Sequence, residues 1–395
     1  MTTHMTRRRL GAVALGALLV AAAPAHAQTV SDVLTFLVTN QSVATGSIDR
    51  DREAALATSD TISRALRANL ATLPVTASSG AFVYRLNPAL GTVERATQSF
   101  GPFFVERALT AGRHQASFGM TYQHLHFASL DGRSLRDGSL VTTANQFTDE
   151  SAPFDVDTLS LNIDASVATL YGNVGVTDRV EVGFAAPFLA LQLDGSRVNT
   201  YRGRTFTQAT ASARATGLAD LVVRTKYTLL DEDSSGLAAA VDVRLPTGRE
   251  EDLLGSGSAA LKFSGIGSID RGRASAHAHA GVSVGGLSRE ISYGTAVTYA
   301  ATGRVSVIGE LLGRWLDSPG HIVPVSAPHP RLNGVETVRL TPGASSLHIL
   351  TVVPGFKWNL TDTWVLVGNV TVPLTRSGLT APFTPFIGMD YALGR

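Results

Sequence analysis

The sequence predicts an all-β protein, a transmembrane antiparallel β-barrel of about 12 strands with an N-terminal, partly helical segment. Three observations carry this. Apolar and polar residues alternate with a period of two over many successive stretches, and charged residues stand in mid-stretch. The connections between those stretches are by turns short and long. Beyond residue 27 there is no apolar run of the roughly 18 residues that a membrane helix needs, so any membrane crossing falls to strands.

The first 27 residues read as an export signal. Arg7, Arg8 and Arg9 precede the apolar stretch from Leu10 to Ala22, and Ala25-His26-Ala27 is a small-x-small cleavage site that leaves Gln28 first in the mature chain. The absence of cysteine fits an oxidising compartment. A net charge of +1 gives no electrostatic case for nucleic acid. Charged residues make up 16% of the chain, whereas a soluble domain carries about a quarter. Sparse charge fits a surface given largely to lipid.

Residues 28–105 lack the alternation. A short helix is expected over 31–39 and a longer one over 51–73, where Ala54, Ala55, Leu56, Ile62, Leu66 and Leu70 recur at three-four spacing. Residues 81–86 and 92–97, around Pro88 and Gly91, read as a small hairpin. This region is expected either to plug the barrel or to extend from it. A further reading makes the hairpin two more barrel strands, for a total of 14.

The barrel is expected over 106–395. Its clearest part is the hairpin 217–248. Leu221, Val223, Thr225, Tyr227 and Leu229 oppose Asp220, Arg224 and Lys226, and after a turn ending in Gly236 the apolar set Leu237, Ala239, Val241, Val243 and Leu245 opposes Asp242 and Arg244. Before it come a strand from Arg113 with Phe118, Met120 and Tyr122 outward, a strand at 158–176 whose phase slips near Thr169 as at a bulge, and a strand at 179–193 with Glu181 inward. After it come strands at 258–269 (Lys262 inward), 273–286 (His277 and His279 inward), 289–300 (Glu290 inward) and 304–316 (Glu310 and Arg314 inward). The last three lie at 345–359, which ends in Phe356, Lys357 and Trp358, at 364–375, and at 383–393 (Asp390 inward). Short turns fall at 177, 231–235, 270–272, 301–303 and 361–363. Loops are expected at 129–156, 194–216, 248–257, 317–344 and 376–382, with 287–288 the one short member of that set. Trp315, Trp358, Trp364 and Tyr391 lie near strand ends, as an interfacial girdle requires.

Gly217-Leu-Ala-Asp-Leu with Lys226-Tyr227, Leu245-Pro-Thr-Gly248, Tyr171-Gly172, the run from Val176 to Gly183 and Pro187 resemble the outer-membrane channel family linked to the meta-cleavage pathway of phenol degradation. The resemblance covers roughly 157–395. It implies a β-barrel transporter for aromatic or other hydrophobic compounds and assigns no site residue. The ending Tyr391-Ala-Leu-Gly-Arg395 departs from the terminal aromatic of such barrels.

The candidate site is the inward face. Glu181, Asp220, Asp242, Glu290, Glu310 and Asp390 stand against Arg224, Lys226, Arg244, Lys262, Arg314 and Lys357, with His277 and His279 beside them. Such residues either set solute preference in an open pore or pair and brace a closed one. A metal at the two histidines needs a third ligand across the lumen. The expected function is passive passage of small, hydrophobic or aromatic molecules through the bacterial outer membrane. The alternatives are a closed structural or adhesion barrel and a barrel enzyme, for which His124, His126 and Ser129 are the nearest candidates. No cofactor is expected, and the partners are outer-membrane lipid, the solute and, during biogenesis, the barrel-assembly machinery, around a monomer.

Overall fold

The computed structural model describes residues 28–39, 48–70, 84–87, 92–95, 97–317, 321–361 and 363–393. The export signal read at 1–27 lies outside them. Twelve strands form the barrel: β1 Ala116–Phe127, β2 Asp155–Gly175, β3 Val180–Tyr201, β4 Leu221–Asp231, β5 Ser235–Leu245, β6 Ala260–Arg271, β7 Ala274–Gly285, β8 Glu290–Ala300, β9 Val305–Leu316, β10 Leu347–Asn359, β11 Trp364–Pro373 and β12 Thr384–Leu393. Each is antiparallel to the next in chain order, and β12 returns to β1 through Leu393↔Ala116 to Phe386↔Gln123. Among the described residues no helix is long and apolar enough to cross a membrane, and in the barrel wall the closed ring is what supplies a partner to the backbone N–H and C=O groups. Among the described residues the hairpin strands Tyr84–Asn87 and Thr92–Arg95 pair with each other alone, and the ring closes at 12 strands without them.

The alternation places the expected residues outward. Phe118, Met120, Tyr122, Phe184, Phe263, Val297 and Ile387 are exposed, while Thr121, Glu181, Lys226, Thr298, Lys357 and Asp390 are buried. At the short-turn end Trp364 and Phe118 both pack on Tyr391, at 4.7 and 5.2 Å between ring centroids. Trp358 lies exposed on the neighbouring strand.

Three expectations are corrected. The pairing of β2 runs unbroken past Thr169 on both sides, so no bulge lies there. What changes is which face is apolar. In the upper half of β2, Leu159, Leu161, Ile163, Ala165 and Val167 point inward and are buried, and Ser160, Asn162, Asp164 and Ser166 point outward. Leu189, Leu191 and Leu193 of β3 and Leu125 and Phe127 of β1 are buried in the same way. These strand ends rise beyond the apolar belt, so their outer face meets water and their inner face holds a core. Second, 194–216 is no loop. Strand β3 runs on to Tyr201, and the strand Arg204–Leu218 returns beside it with a register shift at Arg197/Val198. Ala209, Ala213 and Ala215 of that strand are buried, a small-residue alternation that carries little hydropathy signal. Third, the connections 129–156 and 317–344 contain strands. Ile322–Pro328 pairs with Val335–Pro342, which pairs with Val141–Phe147, which pairs with the start of β2.

The raised wall encloses two helices, α1 Val30–Val38 and α2 Ile48–Leu70. Helix α1 starts with a capping box, in which the Thr29 hydroxyl accepts from the Asp32 N–H and the Asp32 carboxylate from the Thr29 N–H. Val33, Leu34 and Leu37 of α1 and Ile62 and Leu66 of α2 join Leu161 and Leu193 in one apolar cluster. A Cβ on Gly195 would lie 2.3 Å from Leu37 Cδ1, so glycine there makes room for the helix. Arg67 pairs with Glu250, and the Ser31 N–H donates to Glu251 O at 3.0 Å, which ties both helices to the connection after β5.

One substitution checks which face meets lipid. Ile387, in mid-β12, is 56% exposed. Ile387→Arg is expected to lower stability by about 2–4 kcal/mol, the cost of a cation near the bilayer midplane. Urea unfolding in liposomes measures it.

Candidate functional site: the barrel lumen

Between the helices and the short turns, residues 99–111 run inside the barrel as an irregular segment, in which Phe100, Phe103, Val105, Arg107 and Ala108 are buried. The expected boundary at residue 105 falls within this stretch. Outside regular structure its backbone groups need individual partners, and the barrel wall supplies them. The Phe100 N–H donates to Ser306 Oγ at 3.0 Å. The N–H groups of Phe103, Phe104 and Val105 all donate to the Glu310 carboxylate, the last two at 3.0 and 3.3 Å. The Ala108 N–H donates to Ser268 Oγ at 2.9 Å and the Ala111 N–H to Glu181 Oε2 at 2.6 Å. In the other direction, Lys357 Nζ donates to Pro102 O at 2.9 Å, Lys226 Nζ to Arg107 O at 3.3 Å, and the Thr228 hydroxyl to Ala108 O at 2.9 Å.

The candidate residues divide by what they hold. Glu181, Lys226, Glu310 and Lys357 hold the segment by its backbone. Arg224 holds it by a side chain: it binds Glu106 and also reaches both oxygens of Asp242, at 2.6 and 2.8 Å. Lys226 completes that network, 3.3 Å from Glu181 and 3.6 Å from Glu106. His279 Nδ1 accepts from the Glu106 N–H at 3.4 Å, and His277 Nδ1 lies 2.9 Å from Ser268 Oγ. Asp390 accepts from the Tyr171 hydroxyl across β1, where Gly119 leaves space for the ring. Glu290 and Arg314 form a two-pronged pair at 3.1 and 2.6 Å. Arg244 and Lys262 line a cavity of about 150 Å³ above the segment.

Asp220 stands apart. It is fully buried in the break between Arg204–Leu218 and β4, and it accepts from the N–H groups of Gly248 and Ser256 at 3.2 and 2.9 Å and from the Ser256 hydroxyl at 2.5 Å. It therefore fastens the 248–257 connection and is not part of the lumen charge cluster with Arg224. Among the described residues no hydrogen bond joins Ser129 to either histidine weighed for catalysis: Ser129 Oγ lies 2.7 Å from Thr380 Oγ1, His124 Nδ1 lies 3.0 Å from Ser166 Oγ, and His126 meets Asp164 at 2.6 Å and Arg136. Among the described residues no group of three His, Asp or Glu is placed to hold a metal.

Sequence reasoning missed Glu106 and Arg107 as lumen residues, and it offered the run Pro102-Phe-Phe-Val105 only as part of a segment that either plugs the barrel or extends from it. Their stretch has neither of the two regular periods, so it gives no face to read. The only signal was a Glu-Arg pair after two adjacent phenylalanines.

No family model and no curated protein matches the chain. Several solved structures resemble it. One is an outer membrane channel from Pseudomonas putida F1, at 13% identity and a TM-score of 0.44, covering 72% of this chain and 98% of that one. Others are the KdgM porin in complex with disordered oligogalacturonate, at 7% identity and a TM-score of 0.35 (70% of this chain, 99% of that one), and the NanC porin, at 7% and 0.36 (69% and 100%). The barrel assignment stands on this chain's own closed ring of paired strands.

Glu310→Ala removes the acceptor of three N–H groups. A hydrogen bond to a charged group contributes about 1.5–3 kcal/mol, so amide exchange at Phe103, Phe104 and Val105 is expected to rise at least about tenfold. Exchange elsewhere in the barrel serves as the control.

Proposed function

We propose that the chain is an outer-membrane channel for passive uptake of small, hydrophobic or aromatic molecules, held closed in this conformation by residues 99–111. One observation carries the reading: a closed barrel with a lipid-compatible exterior encloses a cavity, and beneath it lies a segment that belongs to no strand and hangs on side-chain bonds. Such a segment can leave without opening the barrel ladder, whereas any movement of a barrel strand would break it. Phe104, Val222, Ala240 and Leu312 give the cavity an apolar wall, which supports an apolar solute. The resemblance at Gly217–Leu221, Leu245–Gly248 and Tyr171–Gly172 to channels linked to phenol degradation points the same way. The mixed charges are mostly paired, so they brace more than they select.

In this reading the protein is exported by residues 1–27, is inserted by the barrel-assembly machinery, works as a monomer in lipid and is not an enzyme. The long connections face outward from the cell, as in bacterial barrels. The same bonds that close the lumen favour a second reading, a structural barrel with no passage.

Planar-bilayer recordings separate the two. The full chain is expected to open rarely, and Glu310→Ala combined with Lys357→Met to raise the open probability several-fold. A chain lacking residues 28–105 is expected to conduct more than the full chain. Absence of both conductance and solute flux in all three would leave the structural barrel as the answer.

A further inference from the structure

The cavity above the segment has more cations than carboxylates. Arg224, Arg244, Lys262 and Arg314 line it, against Glu106, Asp242 and Glu290. The three carboxylates are already engaged. Arg224 takes Glu106 and both oxygens of Asp242, and Arg314 takes both oxygens of Glu290. Lys262 makes no hydrogen bond or ion pair among the described residues, although it is one of only three lysines in the chain and the other two are bonded to the lumen segment. It stands opposite Asp242 on β5 and Ser283 on β7. Lys262 is partly exposed in the cavity, so an anion that enters meets an ammonium group with no direct protein partner, and the pair is stronger in this partly apolar setting than in water.

The rest of the lining limits what kind of anion fits. Phe104 forms part of the floor, and Val222, Ala240 and Leu312 form an apolar wall. Cavities of about 150 Å³ with apolar walls accept a benzene-sized body, and this one measures about 150 Å³. The turn from Gly285 to Ser288 also lines it. That turn is the one short connection at the long-connection end, so the cavity reaches the rim where the wall is lowest.

We infer that this cavity is a binding site for a small organic carboxylate of about one ring, with Lys262 taking the carboxylate and the Phe104–Leu312 side taking the apolar body. The inference deepens the channel reading by naming a solute class, and it rests on that reading only for the purpose of the site. Binding is therefore measured apart from conduction. Benzoate and its neutral counterpart benzamide are titrated by calorimetry into the purified full chain in detergent. Benzoate is expected to bind at least tenfold more tightly than benzamide, and more weakly as salt rises. Lys262→Met is expected to weaken benzoate at least tenfold and to leave benzamide unchanged. Lys262→Arg keeps the cation and is expected to retain most of the benzoate affinity. Heat-dependent gel migration confirms that each variant is a folded barrel. Equal affinity for the two probes, an unchanged benzoate affinity in Lys262→Met, or displacement of benzoate by equimolar chloride would each overturn the inference. Benzoate binding in a protein that never conducts would keep the site and remove the channel.

Discussion

Every backbone N–H and C=O in a bilayer needs a partner within the protein, and this requirement shapes the molecule twice. In the wall it is met by strand pairing, which leaves no free edge only because β12 returns to β1. In the lumen it is met one group at a time. The segment 99–111 has no ladder, so Glu310, Ser306, Ser268 and Glu181 accept from its N–H groups, and Lys357, Lys226 and Thr228 donate to its carbonyls. Four of the inward charges that looked like pore rings are the hydrogen-bonding complement of a piece of chain: Glu181 and Glu310 accept from its N–H groups, and Lys226 and Lys357 donate to its carbonyls.

The same wall serves two solvents. Through the belt, apolar residues face lipid and polar ones face the lumen. Above it, β1, β2 and β3 exchange the two faces with no change of geometry, because water now lies outside and the helices α1 and α2 lie within. Leu159 and Phe118 are both apolar residues of alternating strands, yet one is buried and the other exposed. The raised side of the wall shelters the helices, and the low rim at Gly285–Ser288 faces the cavity. Asp220 links these parts, as the buried anchor of the connection that also meets Arg67 and Ser31 through its neighbours Glu250 and Glu251.

In the sequence, period-two alternation and the rhythm of loop lengths determined the fold class, the twelve strands and the inward position of residues such as Glu181, Lys226, Glu310 and Lys357. A pleat turns every second side chain to the same face whatever lies there, so this much is local. The helices at 30–38 and 48–70 were legible for the same reason, through a 3.6-residue period. The tertiary structure alone decided what each face meets. It showed that the apolar turn of β2 near Thr169 marks the edge of the belt and not a bulge. It placed the strand at Arg204–Leu218 where alanines gave little contrast, and it set Asp220 under a loop. It also put Phe103 and Glu106 within reach of Glu310 and Arg224, more than a hundred residues away in the chain. Contacts of that kind depend on how a closed ring folds its own N-terminal segment inside, and no local period records them.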